Sequence, residues 1–301
     1  MKGLLKSEDG QVIVLVAILM TAFIGFIALV IDVGSIYLVK NRLQKTADAG
    51  VLAGAQELPN DFEKARIELN KTIEYNQENP NNFTATANES KTMLEVIGKK
   101  KATLYFAKVL GIEEPVIEVK ARAELLPLSV GKGTIPLGIQ PSTDLNFGST
   151  QMLKVSDSAS GNFGAIALTG PGAKDYKTDL KNGYQFDLKV GTILDTQTGQ
   201  LAGPTNEAVS ERISKCPDAS FDDYPPGCSR VVLVPIYEPV STDKNQIKQV
   251  RVVGFGTFFL DSVSSTSEGA VVTGYFIRAT HKGESSSGLA DFGTYSFKLT
   301  Q

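Results

Sequence analysis

Hydrophobic and polar positions divide the chain into three patterns. From Val12 to Ile31 the sequence VIVLVAILMTAFIGFIALVI runs 20 residues without a charge. A bilayer core about 30 Å thick takes roughly 20 helical residues, so this run predicts one transmembrane helix. Fourteen of its residues are Val, Ile, Leu or Phe. At roughly −0.3 to −0.6 kcal/mol each they favour insertion by about −4 to −8 kcal/mol, and Thr21 and Gly25 offset little of it. A core helix is seldom apolar on every face for so long. From Asp32 to Leu58 the pattern turns one-sided: Ile36, Val39, Leu43, Ala47, Val51 and Ala55 recur at three- and four-residue steps, with Lys40, Gln44 and Asp48 on another face. No proline intervenes before Pro59. One helix is predicted from Gln11 to Leu58, about 70 Å long at 1.5 Å per residue.

The second pattern mixes periods. Phe62, Ala65, Leu69 and Ile73 have helical spacing, which Pro80 and the Asn-rich NPNNFTATANES break. Thr92–Ile97 reads as a strand, Lys101–Leu110 as a helix ended by Gly111, and Val116–Leu125 as an alternating strand. Lys99-Lys100-Lys101 reads as a solvated turn between strand and helix. Beyond Val130 the third pattern sets in: short β-rich runs at Gly164–Leu168, Gln185–Val190, Arg230–Ile236, Val250–Leu260, Ala270–Arg278 and Thr294–Leu299. Turn signals such as Asn182-Gly183 and Thr198-Gly199 separate them. Only Glu207–Ile213, after Pro204-Thr205, reads as a capped helix. The expected fold class is α+β: a transmembrane helix continuing into a long helix with a small α/β unit, then a mainly-β sandwich or barrel. The expected divisions are a cytoplasmic N-terminus at 1–10, the span at 11–31, the helical stalk and small α/β unit at 32–126, and the β domain at 127–301.

The expected topology is N-terminus inside and C-terminal bulk outside. Lys2 and Lys6 favour this orientation, and Lys40, Arg42 and Lys45 beyond the span oppose it. The short leading segment and the two cysteines in the C-terminal bulk, suited to an oxidising exterior, decide for N-in. A cleavable signal peptide has an apolar region of about 7–15 residues and a small-residue site just after it. Here Ala47-Asp48-Ala49 and Ala53-Gly54-Ala55 lie too far downstream. A prepilin cut after Gly10 would put Leu15 where such pilins carry Glu. An uncleaved chain is expected.

IDVGSIYLVKNRLQKTADAGVLAGAQEL resembles the N-terminal region of the TadG-like proteins of Flp (tight-adherence) pilus assembly. The residues that carry the resemblance are Asp32, Val33, Gly34, Tyr37, Leu38, Leu43, Gln44, Ala47, Asp48, Ala49, Leu52, Ala53, Gly54 and Ala55. Gly50 stands where the family usually has Ala. Residues 60–126, and stretches such as GNFGAIALTG and VVGFGTFFL in the β-rich half, are similar to parts of the same family. The resemblance implies a bacterial cell-membrane protein, partners among pilus-assembly membrane proteins or pilin, and a non-enzymatic scaffold or anchor, with a minor pilin or surface adhesin as alternatives. Two roles stay open for the Ala/Gly-rich stripe Ala47–Ala55: packing on the chain's own domain, or close approach of a partner helix.

Charge excludes one class of partner. The chain has 30 basic and 33 acidic residues, spread evenly over both halves, so the clustered cations that duplex nucleic acid requires are missing. With one His and two Cys, sites needing two imidazoles or a zinc ribbon are excluded. Cys216 and Cys228 bracket CPDASFDDYPPGC, and a disulfide there is expected to stabilise by roughly 3 kcal/mol. Asp218, Asp222 and Asp223 fall short of the ordered oxygens of a calcium loop. His281 sits in a polar stretch without a Gly-x-Ser-x-Gly elbow, and is expected to be an exposed loop residue. Gly131-Lys132-Gly133 and Gly254-Phe255-Gly256 lack the context of a phosphate loop. No enzymatic activity, cofactor, metal or small-molecule substrate is expected; the lipid bilayer, met through Val12–Ile31, is.

Overall fold

The computed structural model describes residues 8–141, 145–156, 163–197, 200–243, 246–266 and 269–300. Lys2, Lys6, Gly161, Asn162 and the predicted turn Thr198-Gly199 lie outside the described residues. A single 48-residue helix, α1 (Glu8–Ala55), opens the chain. Its most apolar 18-residue window has mean hydropathy 3.0 and none of that window is buried, so α1 is long and apolar enough to cross a membrane. The second half is embedded: Leu43, Ala47, Val51 and Ala55 are fully covered. Three tight backbone bonds, from Gln56, Glu57 and Leu58 to the carbonyls of Ala53, Gly54 and Ala55, carry the chain past the helix end and put Leu58 into the same core.

The second helix, α2 (Phe62–Tyr75), starts where the Asp61 carboxylate accepts the Lys64 amide at 3.0 Å. Its Ala65, Leu69 and Ile73 face α1. A 3₁₀ turn at Pro80–Asn82 leads into β1 (Phe83–Ala87), which pairs antiparallel with β2 (Met93–Lys101), which pairs in turn with β3 (Val116–Pro127). This adds a strand and corrects one expectation. The Asn-rich stretch holds a strand, because Phe83 and Ala85 pack on the core while Thr84 and Thr86 face water. The lysine triplet is the end of β2 rather than a turn: Lys100 Nζ lies 2.7 Å from the buried Glu78 carboxylate and Lys99 Nζ lies 3.0 Å from Glu118. A second correction follows, because Lys101–Leu110 is not a helix. Only a 3₁₀ turn at Ala107–Leu110 forms, ended by Gly111 at φ +80°.

The remaining chain builds a larger mixed unit. The strands of this stretch are β4 (Val130–Gly131), β5 (Leu137–Ile139), β6 (Thr150–Ser156), β7 (Phe163–Ala165), β8 (Leu188–Lys189) and β9 (Ile193–Asp195), followed by β10 (Val231–Asp243), β11 (Gln246–Thr266), β12 (Gly269–Ile277), β13 (Ala279–Thr280) and β14 (Thr294–Thr300), the last two of which leave the larger unit. The main sheet runs β6-β12-β11-β10-β5-β7, with β9 on β11. Two helices, α3 (Ala173–Asn182) and α4 (Ala202–Ser214), cover one face: Tyr176, Leu180, Ala208 and Val209 join Val232, Val234, Ile236, Phe258 and Phe276 in one core. The sequence pattern shows only part of α4, which begins five residues before Glu207 because Pro204 in the first turn leaves no bonded amide to lose. Asn182-Gly183, read as a tight turn, is the end of α3, with Gly183 at φ +78°.

The chain then returns. β14 pairs antiparallel with β3, from Tyr295↔Pro127 to Thr300↔Arg122, so the first sheet has the order β1-β2-β3-β14-β13. Strands from both sides of residue 127 thus complete the first sheet. Asn60 Nδ2 donating to Arg278 O at 2.7 Å, and Thr280 Oγ1 to Gln56 O at 3.1 Å, tie the end of α1 to the same returning segment.

Candidate functional site

The motif residues of α1 separate into three groups along its length. Asp32 is first and is buried, one residue past the apolar run. Its carboxylate accepts the amides of Ala107 at 2.6 Å, Tyr105 at 2.7 Å and Phe106 at 3.2 Å. Burial works against ionisation, but the amides of Ala107, Tyr105 and Phe106 overcome it and hold the carboxyl below the usual range. This bond set explains the lost helix: the donors that would open a helix at Lys101 are directed at a residue some 70 positions earlier. One turn on, Ser35 Oγ donates to Thr103 O at 2.8 Å.

Gly34, Tyr37 and Leu38 form the second group and touch little. A Cβ at Gly34 would meet nothing within 4 Å. Tyr37 and Leu38 are 65% and 67% exposed. They lie about 9 Å past Ile31 along the helix.

Leu43, Gln44, Ala47, Asp48, Ala49, Ala53, Gly54 and Ala55 form the third group. Gln44 Nε2 donates to Asp48 Oδ1 at 2.8 Å and to Lys120 O at 2.9 Å, fixing α1 to β3. The small-residue stripe is covered by the chain itself. A Cβ at Gly54 would stand 2.8 Å from both Ala65 O and Leu94 Cδ2, so α2 and β2 occupy the space that a partner helix would need. Ala47, Val51 and Ala55 are fully buried in the same way, while Ala49 and Ala53 are only partly covered. Of the two roles left open for this stripe, the structure fills the first. Sequence reasoning missed Glu78, whose buried carboxylate pairs with Lys100 Nζ and, at 3.2 Å, with Arg42 Nε. Its two partners come from α1 and β2, distant in sequence, and no local pattern announces them.

Residues 10–57 match the family model Tad, described as Putative Flp pilus-assembly TadE/G-like. The matched stretch is α1 with its closing turn. It holds both the exposed apolar run and every motif residue named above, and the resemblance to TadG-like proteins rests on the same positions. No curated protein and no solved structure matches the chain.

The other singled-out residues lie away from α1's motif. Cys216 and Cys228 are joined by a disulfide with Cα atoms 5.7 Å apart, packed with Phe259 and Ile277. Arg230, which the sequence did not single out, organises that loop. It donates to Leu260 O at 2.7 Å and Ala219 O at 2.8 Å, and its guanidinium stacks 4.4 Å above the Phe259 ring. Asp222 accepts from Ser220 Oγ at 2.7 Å, so its carboxylate shapes a turn, and among the described residues no cluster of three or more His, Cys, Asp or Glu is placed to hold a metal. His281 is not an exposed loop residue. Its Nε2 lies 2.9 Å from Thr257 Oγ1, itself 2.9 Å from Thr294 Oγ1, and burial pushes the imidazole down to about 4.

Proposed function

We propose that the chain is a single-pass, membrane-anchored component of Flp-type pilus assembly, with both folded units outside the cytoplasm and a non-enzymatic scaffolding role. The observation that carries this is α1 itself. One rigid helix holds a bare apolar run of bilayer length and, without a joint, the embedded half that organises the first unit. Such a continuous rod transmits position and rotation from membrane to folded domain, as an anchor for a machine on the envelope requires. The disulfide supports the exterior placement, since bridges persist in oxidising compartments.

The test uses native envelopes. After crosslinking, chain recovered from the membrane fraction is expected to carry pilus-assembly membrane proteins or pilin, and protease added outside is expected to cut the folded units. Recovery in the soluble fraction, or a membrane-bound chain that captures no pilus component, overturns the reading. Gly10, at the edge of the apolar run, favours one second reading, a minor pilin; intact mass decides, because that reading needs a product starting at Gln11.

A further inference from the structure

Contacts between α1 and the first sheet descend step by step toward the apolar run. Leu94 fills the space beside Gly54, Lys120 O meets Gln44, Thr103 O meets Ser35, and the amides of residues 105–107 meet Asp32. The turn from Tyr105 to Ile112 is therefore the end of the folded unit nearest the span, fastened to the residue that follows Ile31. Its outside is apolar. Tyr105, Phe106, Val109, Leu110 and Ile112 are 61%, 42%, 84%, 80% and 55% exposed, and Val109 and Leu110 are the most exposed aliphatic side chains among the described residues. Nor is the turn loose: Val109, Gly111 and Ile112 donate their amides to Phe106, Lys108 and Ala107 within it.

We propose that this turn is a second membrane contact, seated shallowly in the same bilayer that holds α1, on the side of the folded units. The inference rests on the anchored reading given above. The bilayer is the favoured occupant because the apolar patch continues the apolar surface of the span across a fixed set of hydrogen bonds. Val109, Leu110 and Ile112 reach below the headgroups, and Tyr105 sits among them. Lys108, paired with Glu114 at 3.3 Å, and Glu113 stay in the headgroup layer and limit the depth. Two contacts, span and turn, fix the tilt of the first unit against the bilayer plane, which one helix alone leaves free.

The chain has no Trp, so each installed Trp is a lone reporter. The full-length protein is reconstituted in vesicles of phosphatidylcholine and phosphatidylglycerol, with bromine placed either near the headgroup or deep in the acyl chains. Four single variants are compared: Leu110→Trp, Val109→Trp, Ile24→Trp within the span, and Phe186→Trp, an exposed residue on the larger unit. Leu110→Trp and Val109→Trp are expected to shift to the blue and lose emission most to shallow bromine, Ile24→Trp to deep bromine, and Phe186→Trp to neither. If Ile24→Trp is quenched while both turn variants behave like Phe186→Trp, the turn lies in water or under a protein partner and the inference is overturned, with the anchor intact. If Ile24→Trp is not quenched, the anchored reading itself fails and the inference with it.

Discussion

The two halves of α1 share one helix and opposite surroundings. Between Val12 and Ile31 all sides are apolar and bare; from Leu43 onward one face is packed at contact distance on α2, β2 and β3. Size matters differently in the two halves. A Cβ on Gly25 would meet nothing within 4 Å, whereas one on Gly54 would collide with Ala65 O and Leu94 Cδ2. The same residue type is therefore incidental in one half and obligatory in the other. Composition alone does not separate them, since an Ala/Gly stripe serves a partner helix or an internal one equally well.

The sharpest way to break the comparison is to enlarge both glycines. Gly54→Leu is expected to destabilise the first unit by about 3 kcal/mol or more, read as early loss of α-helical signal in thermal melts in detergent. Gly25→Leu is expected to leave the melt unchanged; equal effects would show that the halves do not differ. Next in size is Glu78→Gln, which strips the buried partner from Lys100 and Arg42. Because both cations keep some water, a loss of about 2–3 kcal/mol is expected by denaturant titration, at the low end for a broken buried pair.

The larger unit gives a pH contrast. The unfolded imidazole of His281 titrates near 6.5 and the folded one near 4, so as pH falls the unfolded chain takes up the proton first. Stability from this group is full above about 6.5 and drains away toward pH 4, by roughly 2–3 kcal/mol at pH 4.5. Melts of the wild type and His281→Gln should converge as pH falls; parallel curves would remove the burial account. At the junction of the two halves, Asp32→Asn is expected to act locally. Hydrogen exchange at Tyr105, Phe106 and Ala107 should quicken while the amides of β10 and β11 stay protected, and unchanged exchange would mean that the carboxylate is not the cap. Smallest of all, Lys99→Ala removes an exposed pair with Glu118 and is expected to cost about 0.2–0.5 kcal/mol by the same titration.

What the sequence disclosed follows from which interactions are local. α1 and α2 were legible because their apolar period is set within the helix, and β3 because its alternation is. The absent helix at Lys101–Leu110 was not, since its fate depends on Asp32, distant in sequence. α3 escaped because only Tyr176 and Leu180 mark its apolar face within a run of charges. In the candidate site, the motif residues were all visible, but their division into cap, bare surface and core needed the neighbours that only the fold supplies.

The pairing of β14 with β3 sets a schedule for synthesis. β3 ends at Pro127 and its partner strand begins at Thr294, so one edge of the first sheet stays open while more than 160 intervening residues are made. At the usual pace of about 5–20 residues per second, that exposure lasts roughly 8–35 s. Through that interval the nascent chain displays a free row of backbone donors and acceptors to any neighbouring copy. The first unit is thus first to emerge and last to close.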